Sequence, residues 1–433
     1  MNDKIAQIIG RRVWDSRGRP TVEVEIVCEN GARGRAIAPA GASTGSHEAL
    51  DRRDGGAAFG GRDVTGAVAA VRGEIAQALE GRSVLDQAGL DEVLIALDGT
   101  PDKSRLGANA IVATSMAIAH AAAAVEGVPL WRRLAGGRDV VLPLPEIQIL
   151  GGGAHAARRV DVQDFMVIAT GAPDYPTALD WTAEVYRAAG ELLAQAGRLQ
   201  GVADEGGWWP AFDSNEEALD LLLRAIERAR RVPGDEVAIA LDIAANDFGT
   251  DGRYRLARDG REIDADGLSE MLLGWLRRYP IVSIEDPLAE DDLEGVAAFM
   301  RAAPNGVQVV CDDLVTTNAA RIRAAAAVGA GNAALIKPNQ IGTLSDSLAA
   351  LEAARAAGWG AIVSARSGET EDVTIVHLAV GWGVPQLKVG SFARSERMAK
   401  WNECLRIEAA LGANARFAGA QALRPSRPGA AAL

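Results

Sequence analysis

Cysteine, basic charge and long apolar runs are scarce in this 433-residue chain, and each shortage excludes a class of protein. The three cysteines, Cys28, Cys311 and Cys404, form no CxxC pair, so we expect neither a disulfide framework nor a thiolate metal site. Lysine and arginine number 45 against 58 acidic residues, and the net charge of −13 argues against a nucleic-acid partner. An anionic substrate remains possible, because local cations decide the field at a site.

No run of about 18 or more apolar residues occurs, and the first residues lack the apolar core of a signal peptide. We therefore expect a cytoplasmic protein without a membrane partner. The chain length and the hydrophobic fraction of 48% suit a barrel joined to a smaller domain.

Strand-like apolar runs that end in a charged residue mark the second half of the chain. A buried parallel strand reads as a continuous Val/Ile/Leu run, and a helix must follow it to cross back. Repetition of that unit closes a barrel whose carboxyl strand ends meet at one mouth. The runs end on Asp242, Glu285, Asp312, Lys337, Arg366 and Lys388. Three carboxylates and two lysines are thus predicted to meet at this mouth.

The first 139 residues predict a separate α+β domain. Residues 21–28 alternate with period two, Asn30-Gly31 is a strong hairpin signal, and residues 32–39 are predicted to pair back. Helices are expected at 64–80, 88–98 and 108–125, the last rich in alanine and buried. Residues 140–433 form the predicted barrel domain, with helices such as 318–330 and 345–358 between its strands.

Asp242, Glu285 and Asp312 are candidate ligands for a divalent cation. Oxygen ligands with open positions for water and substrate suit Mg²⁺. Each residue alone would fit a solvated strand end or a helix N-cap equally well, but three at consecutive strand ends favour the metal site.

Lys337 and Lys388 lie in apolar strand contexts, and Lys337 is a candidate general base. Desolvation and neighbouring cations lower a lysine pKa towards the useful range. The alternative is a network of structural salt bridges with the three acids.

Glu205 lies in a Gly-flanked loop beside two tryptophans, which would exclude water and raise a carboxyl pKa. An ordinary acidic turn is the alternative. Two other Gly-rich loops, 41–45 and 151–155, are candidates for a phosphate cradle or a closing lid.

Nine motifs together resemble the enolase (phosphopyruvate hydratase) family, in family order over nearly the whole chain. They are GASTGSHEALDRRDG, LGANAI, QDFM, DEGG, SIEDPLAEDD, DDLVTTN, KPNQIGTLSDS, RSGETED and ARSERMAKWNECLRIE. The resemblance implies an enolase-type (β/α)8 barrel with an amino-terminal α+β capping domain, assembled as a homodimer or larger homo-oligomer.

The resemblance also implies roles for the matching residues. Asp242, Glu285 and Asp312 would bind the catalytic Mg²⁺, and Ser43 would complete a second Mg²⁺ site. Lys337 would remove the proton from C2, and Glu205 would protonate the departing hydroxyl. Lys388 would hold the substrate carboxylate, and Arg366 and Ser367 would hold the phosphoryl group. His155 and Asp164 complete the implied substrate-binding set.

Several positions depart from the family pattern inside the implied site. Ala365 replaces a histidine, Asp164 replaces a glutamate, and Ala40 and the loop 151–154 differ as well. His377 stands where an aspartate is usual. Loss of one charged hydrogen bond in a closed site costs about 2–4 kcal/mol of transition-state stabilisation.

These departures favour a specialised paralogue with intact proton-abstraction chemistry and a roomier pocket. The carboxyphosphonoenolpyruvate synthase type fits, because its product carries an additional carboxyl on phosphorus and Ala365, Gly151 and Ala154 would make space for it. The expected substrate is a small phosphorylated or phosphonylated hydroxy acid. Ordinary 2-phosphoglycerate dehydration is one alternative, and a catalytically weak binding protein of the same fold is another.

Overall fold

The computed structural model describes residues 2–258 and 260–423, apart from the side chain of His155. The amino-terminal domain is built on an antiparallel sheet of β1 (Ile5–Trp14), β2 (Pro20–Cys28) and β3 (Arg33–Ile37), in that order. The predicted hairpin between β2 and β3 is confirmed, with Gly31 at φ +85° in its turn. Strand β1 was not predicted, because its exposed and buried residues do not alternate regularly.

The described part of this domain also contains five α-helices: α1 (Thr65–Ala70), α2 (Ala76–Leu79), α3 (Gln87–Asp98), α4 (Ala108–Glu126) and α5 (Leu130–Ala135). A π-helical turn, Val71–Ile75, joins α1 to α2, so the predicted helix over 64–80 is one interrupted segment. The predicted helices at 88–98 and 108–125 are confirmed as α3 and α4.

Helix α4 is the central helix of this domain and packs on β2 and β3. A Cβ at Gly34 would lie 2.1 Å from the backbone nitrogen of Ala121, so only glycine lets β3 approach the helix this closely. Helix α4 is the one helix of the described chain that is long and apolar enough to span a membrane. However, 83% of its most apolar 18-residue stretch is buried inside the protein. It is therefore placed as a core helix.

The second part of the described chain contains thirteen strands. They are β4 (Leu144–Gly151), β5 (Asp164–Ile168), β6 (Leu199–Val202), β7 (Trp208–Pro210), β8 (Ala238–Asp242), β9 (Gly249–Thr250), β10 (Arg253–Leu256), β11 (Arg261–Asp264), β12 (Ile281–Glu285), β13 (Gln308–Cys311), β14 (Ala333–Ile336), β15 (Gly360–Ser364) and β16 (Gln386–Ser391).

Eight of these strands close the barrel in the order β4, β5, β8, β12, β13, β14, β15 and β16, and β16 pairs back on β4. The short strands β6 and β7 form a hairpin beside β4, and β9 to β11 form a small separate sheet. The predicted barrel and its amino-terminal sheet domain are thus confirmed.

Strand β5 departs from the predicted repeat, because it runs antiparallel to both β4 and β8. A parallel crossover needs about a dozen or more residues, usually with an α-helix. The connection 152–163 holds a single 3-10 turn, Gly153–Ala156, so the chain returns directly as a hairpin. The other barrel strand pairs are parallel, as predicted.

Nine α-helices of the described chain accompany the barrel: α6 (Tyr175–Gln195), α7 (Asn215–Arg228), α8 (Ala265–Arg278), α9 (Leu293–Ala302), α10 (Ala319–Val328), α11 (Pro338–Ile341), α12 (Leu344–Ala356), α13 (Thr374–Trp382) and α14 (Ser395–Leu411). The helices predicted at 318–330 and 345–358 are confirmed as α10 and α12. Side-chain N-caps fix several starts, including Asn318 before α10 and Thr343 before α12. The domain boundary between residues 139 and 140 stays a prediction.

Candidate active site

The barrel mouth holds a narrow cavity between the carboxyl strand ends and the capping loop that carries Ser43. Capping loop here means residues 41–50 of the amino-terminal domain. Eight residues predicted from the sequence line this cavity: Ser43, Asp164, Glu205, Asp242, Lys337, Arg366, Ser367 and Lys388. The structure therefore brings most of the predicted site together in one place.

Lys388 lies at the centre of the acidic side of the cavity. Its Nζ donates to Oδ2 of Asp242 at 2.8 Å and to Oε2 of Glu285 at 2.6 Å, and lies 3.9 Å from Oδ2 of Asp164. Burial works against the ammonium charge, but the carboxylates outweigh it and raise the pKa of Lys388 well above its usual value. This lysine is therefore held as a cation.

Lys337 lies on the opposite side and donates to Oδ2 of Asp312, whose other oxygen accepts from Nε2 of Gln340 at 2.9 Å. Burial would lower the pKa of Lys337, but the charge of Asp312 outweighs it and raises the pKa. The prediction that the pKa of Lys337 is lowered is therefore wrong when only the side chains of the protein surround it. The counter-charge of Asp312 is the physical reason.

Glu285 offers an unused ligand atom beside these pairs. Its Oε1 is buried without a hydrogen-bond partner in the described residues, while Oε2 accepts from Lys388. Burial, followed by the charge of Asp242, raises the pKa of Glu285 well above its usual value. Buried carboxylates with an orphaned oxygen fit a hard divalent cation.

A second acidic group lies beside this triad, formed by Asp286, Asp312 and Asp313, whose ligand atoms lie within 4.8 Å of one another. Asp286, however, accepts from the backbone nitrogens of Asp312 at 2.9 Å and Asp313 at 2.8 Å. It therefore shapes the end of β13. Asp312 belongs to both groups, and the triad Asp242, Glu285 and Asp312 stays the predicted ligand set, with Oε1 of Glu285 as its atom without a hydrogen-bond partner in the described residues.

Arg366 and Ser367 follow β15 and are held by the amino-terminal domain. Nη2 of Arg366 donates to the Ser43 carbonyl at 3.0 Å, and its guanidinium pairs with Glu48. Nη1 of Arg17 donates to Oγ of Ser367 at 3.2 Å, and its Nη2 donates to the Ala40 carbonyl at 2.8 Å. Burial, followed by repulsion from Arg19, lowers the pKa of Arg17 to about 10.

Glu205 is buried at its end of the cavity, and its role as the acid stays a prediction. Trp208 stacks on Tyr186 at a centroid distance of 4.7 Å, and Trp209 lies under Arg159 at 5.3 Å. The carbonyl of Glu205 accepts from the Ser391 nitrogen at 2.9 Å, which ties its loop to the end of β16.

Asp164 begins β5 and accepts from Nε2 of Gln148. His155 lies in the turn Gly153–Ala156, but its side chain is outside the described part of the chain, so its role stays a prediction.

Only Ala365 of the three expected space-making residues borders the cavity. A Cβ at Gly151 would lie 2.5 Å from Cβ of Ala203, so that space is already filled. Ala154 is exposed, and its nitrogen donates to Asp247 at 3.3 Å. The expectation that Gly151 and Ala154 enlarge the pocket is therefore wrong.

His377 does not occupy the space beside Ala365. It lies in α13, with its ring 5.9 Å from that of His120 of α4 and its Nε2 3.6 Å from Oε1 of Glu403 of α14. The histidine that departs from the family pattern thus lies at the seam between the two domains, outside the cavity lining.

Several residues that contact the site were missed from the sequence: Arg17, Glu48, Gln163, Gln340 and Glu146. Nε2 of Gln163 donates to Oδ2 of Asp242 at 3.0 Å. Burial, opposed by Lys388, raises the pKa of Glu146 to about 7. Glu48 and Gln340 lie within motifs that matched the family, and that was the available signal.

A closed α/β barrel with buried lysines and carboxylates at its strand ends, under a loop from a second domain, has the arrangement of a barrel enzyme. The family model described as "Enolase, C-terminal TIM barrel domain" matches residues 139–426, and "Enolase, N-terminal domain" matches residues 5–134. The chain therefore belongs to the enolase family. Membership supports an enolase-type enzyme of the lyase class.

Proposed function

We propose that this protein abstracts the proton α to a carboxylate and eliminates water, to form an enolpyruvate from a small phosphorylated or phosphonylated hydroxy acid. The observation that carries the proposal is the single cavity lined by Lys337, Glu205, Lys388 and Arg366. An amine base, a carboxylic acid and two cations then face one bound substrate.

Magnesium is the proposed cofactor, and the enolase family typically uses it. Asp242, Glu285 and Asp312 would hold one ion, and Ser43 would take part in a second site. A proton α to a carboxylate is very weakly acidic, because its removal leaves a dianionic intermediate. Bound cations would stabilise the charge of that intermediate.

The remaining steps belong to side chains of this chain. Lys337 would accept the α-proton at Nζ in its neutral form, which requires that Asp312 binds a metal ion and no longer raises the pKa of Lys337. Glu205 would donate a proton to the departing hydroxyl. Lys388, held as a cation between Asp242 and Glu285, would orient the substrate carboxylate. Arg366 and Ser367 would bind the phosphoryl or phosphonyl group, with Asp164 and His155 nearby.

The substrate that we favour is a 2-phosphoglycerate analogue with an extra group on phosphorus, as in a carboxyphosphonoenolpyruvate synthase. Support comes from Ala365, which borders the cavity where the family motif has histidine, and from His377, which lies elsewhere. Ordinary 2-phosphoglycerate dehydration is the second candidate, because the base, the acid and the metal ligands of that reaction are all present.

Turnover of 2-phosphoglycerate with Mg²⁺, followed by enolpyruvate absorbance, tests both candidates when wild type is compared with Ala365→His. Weak wild-type turnover that rises in the variant supports a specialised substrate. Rapid wild-type turnover favours the ordinary reaction. Absence of turnover of either acid by both proteins contradicts the proposed chemistry.

A further inference from the structure

Glu48 belongs to the capping loop, yet its carboxylate lies inside the barrel mouth against Arg366. Its Oε2 accepts from Nη1 at 2.9 Å and its Oε1 from Nη2 at 3.1 Å. The two side chains are 5% and 4% exposed. This is a buried, two-point contact between a guanidinium and a carboxylate, the geometry that fixes both position and orientation.

Other contacts hold the same guanidinium in this orientation. Nη1 of Arg366 also donates to Oδ1 of Asn339 at 3.2 Å, and Nη2 also donates to the Ser43 carbonyl at 3.0 Å. Of these partners only Glu48 carries a charge. Its removal would therefore leave Arg366 with neutral acceptors alone.

Asp312 and Asp313 also attract Arg366, and both of their charges reach its guanidinium. Gln340 bridges Asp312 and Glu48, since its Nε2 is 2.9 Å from Oδ1 of Asp312 and 3.4 Å from Oε1 of Glu48. Without Glu48, the strongest remaining attraction on Arg366 would be towards Asp312 and Asp313.

We propose that Glu48 is a positioning residue: it holds Arg366 towards the anionic group of the substrate and away from Asp312. The proposal rests on the proposed function, which assigns Arg366 to the phosphoryl or phosphonyl group. It means that the amino-terminal domain sets the geometry of an anion-binding residue that the barrel supplies.

A structural role is the competing explanation, because Oε1 of Glu48 also accepts from the Gly45 nitrogen at 3.1 Å within the capping loop. Glu23 provides a matched control. It lies in the same domain, its side chain is 7% exposed, and it pairs with Arg11 at 2.8 Å. Glu48→Gln and Glu23→Gln therefore remove the same charge from two similarly buried carboxylates, although Arg11 is 40% exposed and Arg366 is 4% exposed.

The experiment measures kcat and KM for 2-phosphoglycerate or its analogue, and separately the Kd of inorganic phosphate by calorimetry in Mg²⁺. We expect Glu48→Gln to lower kcat by about 10- to 100-fold and to weaken phosphate binding by about tenfold, since misplaced binding groups cost this much. Glu23→Gln should change neither quantity. Equal effects of the two variants, or no phosphate binding by wild type, overturn the proposal.

A double-mutant cycle with Arg366→Gln separates positioning from structure. If Glu48 acts through Arg366, Glu48→Gln should change phosphate affinity less than about threefold in the Arg366→Gln background. Undiminished loss in that background overturns the proposal. Should Glu48→Gln not fold, Glu48→Asp keeps the charge and shortens its reach, and unchanged phosphate affinity in that variant overturns the proposal as well.

Failure of the proposed function would be recognised separately. Phosphate binding needs no turnover, so the calorimetric cycle tests Glu48 even if wild type dehydrates neither acid.

Discussion

Two groups of buried titratable side chains in this molecule behave in opposite ways. At the barrel mouth, Lys337 and Lys388 face carboxylates that raise their pKa values despite burial. At the seam between the domains, His120 and His377 face each other, and burial lowers the pKa of both, that of His377 to about 4. Burial is common to both groups, so the counter-charge decides which form persists.

The seam does contain acidic groups, but they are poorly placed. Asp372 opposes the lowering at both histidines, and Glu403 approaches Nε2 of His377 to 3.6 Å only. Nδ1 of His377 has no hydrogen-bond partner in the described residues. The buried charges at the mouth are therefore paired with opposite charges, whereas the histidines at the seam are not. A site that acts on a charged substrate requires such paired charges.

Removing the amine of Lys337 should have the largest effect. Lys337→Met removes the proposed base, so kcat should fall by about 10²- to 10⁴-fold. The variant should also lose stability, because Asp312 loses its buried counter-charge and keeps only its bond from Gln340. Steady-state kinetics with circular dichroism checks this, and a variant within about threefold of wild-type kcat would assign the base elsewhere.

Removing the charge of Lys388 should leave the carboxylates of the barrel mouth without an opposite charge. Lys388→Met leaves Asp242 and Glu285 without their shared cation, which should cost about 3–5 kcal/mol of unfolding free energy in chelator. Magnesium should restore part of this loss, because a bound cation replaces the ammonium. Denaturant unfolding with and without Mg²⁺ measures both effects.

Lys103→Met is the control for that experiment. Lys103 pairs with the partly exposed Asp346 at 3.3 Å, and its loss should cost about 1 kcal/mol or less. If both lysine variants lose the same free energy, the contrast between a buried cluster and an ordinary ion pair fails.

Loss of the seam histidine should have the smallest effect and should depend on pH. The pKa of His377 is about 4 in the folded protein and about 6.5 in the unfolded chain, so the unfolded chain binds more protons between these values. The free energy of unfolding of the wild-type protein should therefore decrease as the pH falls from about 6.5 towards 4.

Between pH 7 and pH 5, the free energy of unfolding of His377→Leu should fall by about 1–2 kcal/mol less than that of wild type. Denaturant unfolding at both pH values measures this difference. His47→Gln, a change of an exposed histidine on the capping loop, is the control. An identical pH dependence for His377→Leu and wild type would show that the seam does not titrate in this range.

The charged residues at the barrel mouth were predictable, because a buried parallel strand has a continuous run of apolar residues in the sequence. A charged residue at the end of such a run is easily recognised. Asp242, Glu285 and Lys337 were found in this way. The direction of β5 was not predictable from its run, since a strand buried in either direction has the same composition.

Two contributions of the amino-terminal domain, those of Arg17 and Glu48, were not found for a related reason. Arg17 and Glu48 lie on loops, where no periodicity marks a side chain that reaches another domain. Their placement depends on contacts between residues more than 300 positions apart, such as Glu48 with Arg366. The filled space at Gly151 depends in the same way on Ala203, a residue outside its own motif.

The reversal of β5 has a consequence for how this scaffold can be altered. Because β4 ends at the mouth and β5 begins there, Asp164 enters the site from the first residue of its strand, opposite Asp242. The hairpin segment 152–163 consequently stays on the catalytic face throughout. Its exposed residues Ala157 and Arg158 can be varied to change which substrates enter, whereas Val160 and Val162 are buried in the core and Gln163 donates to Asp242.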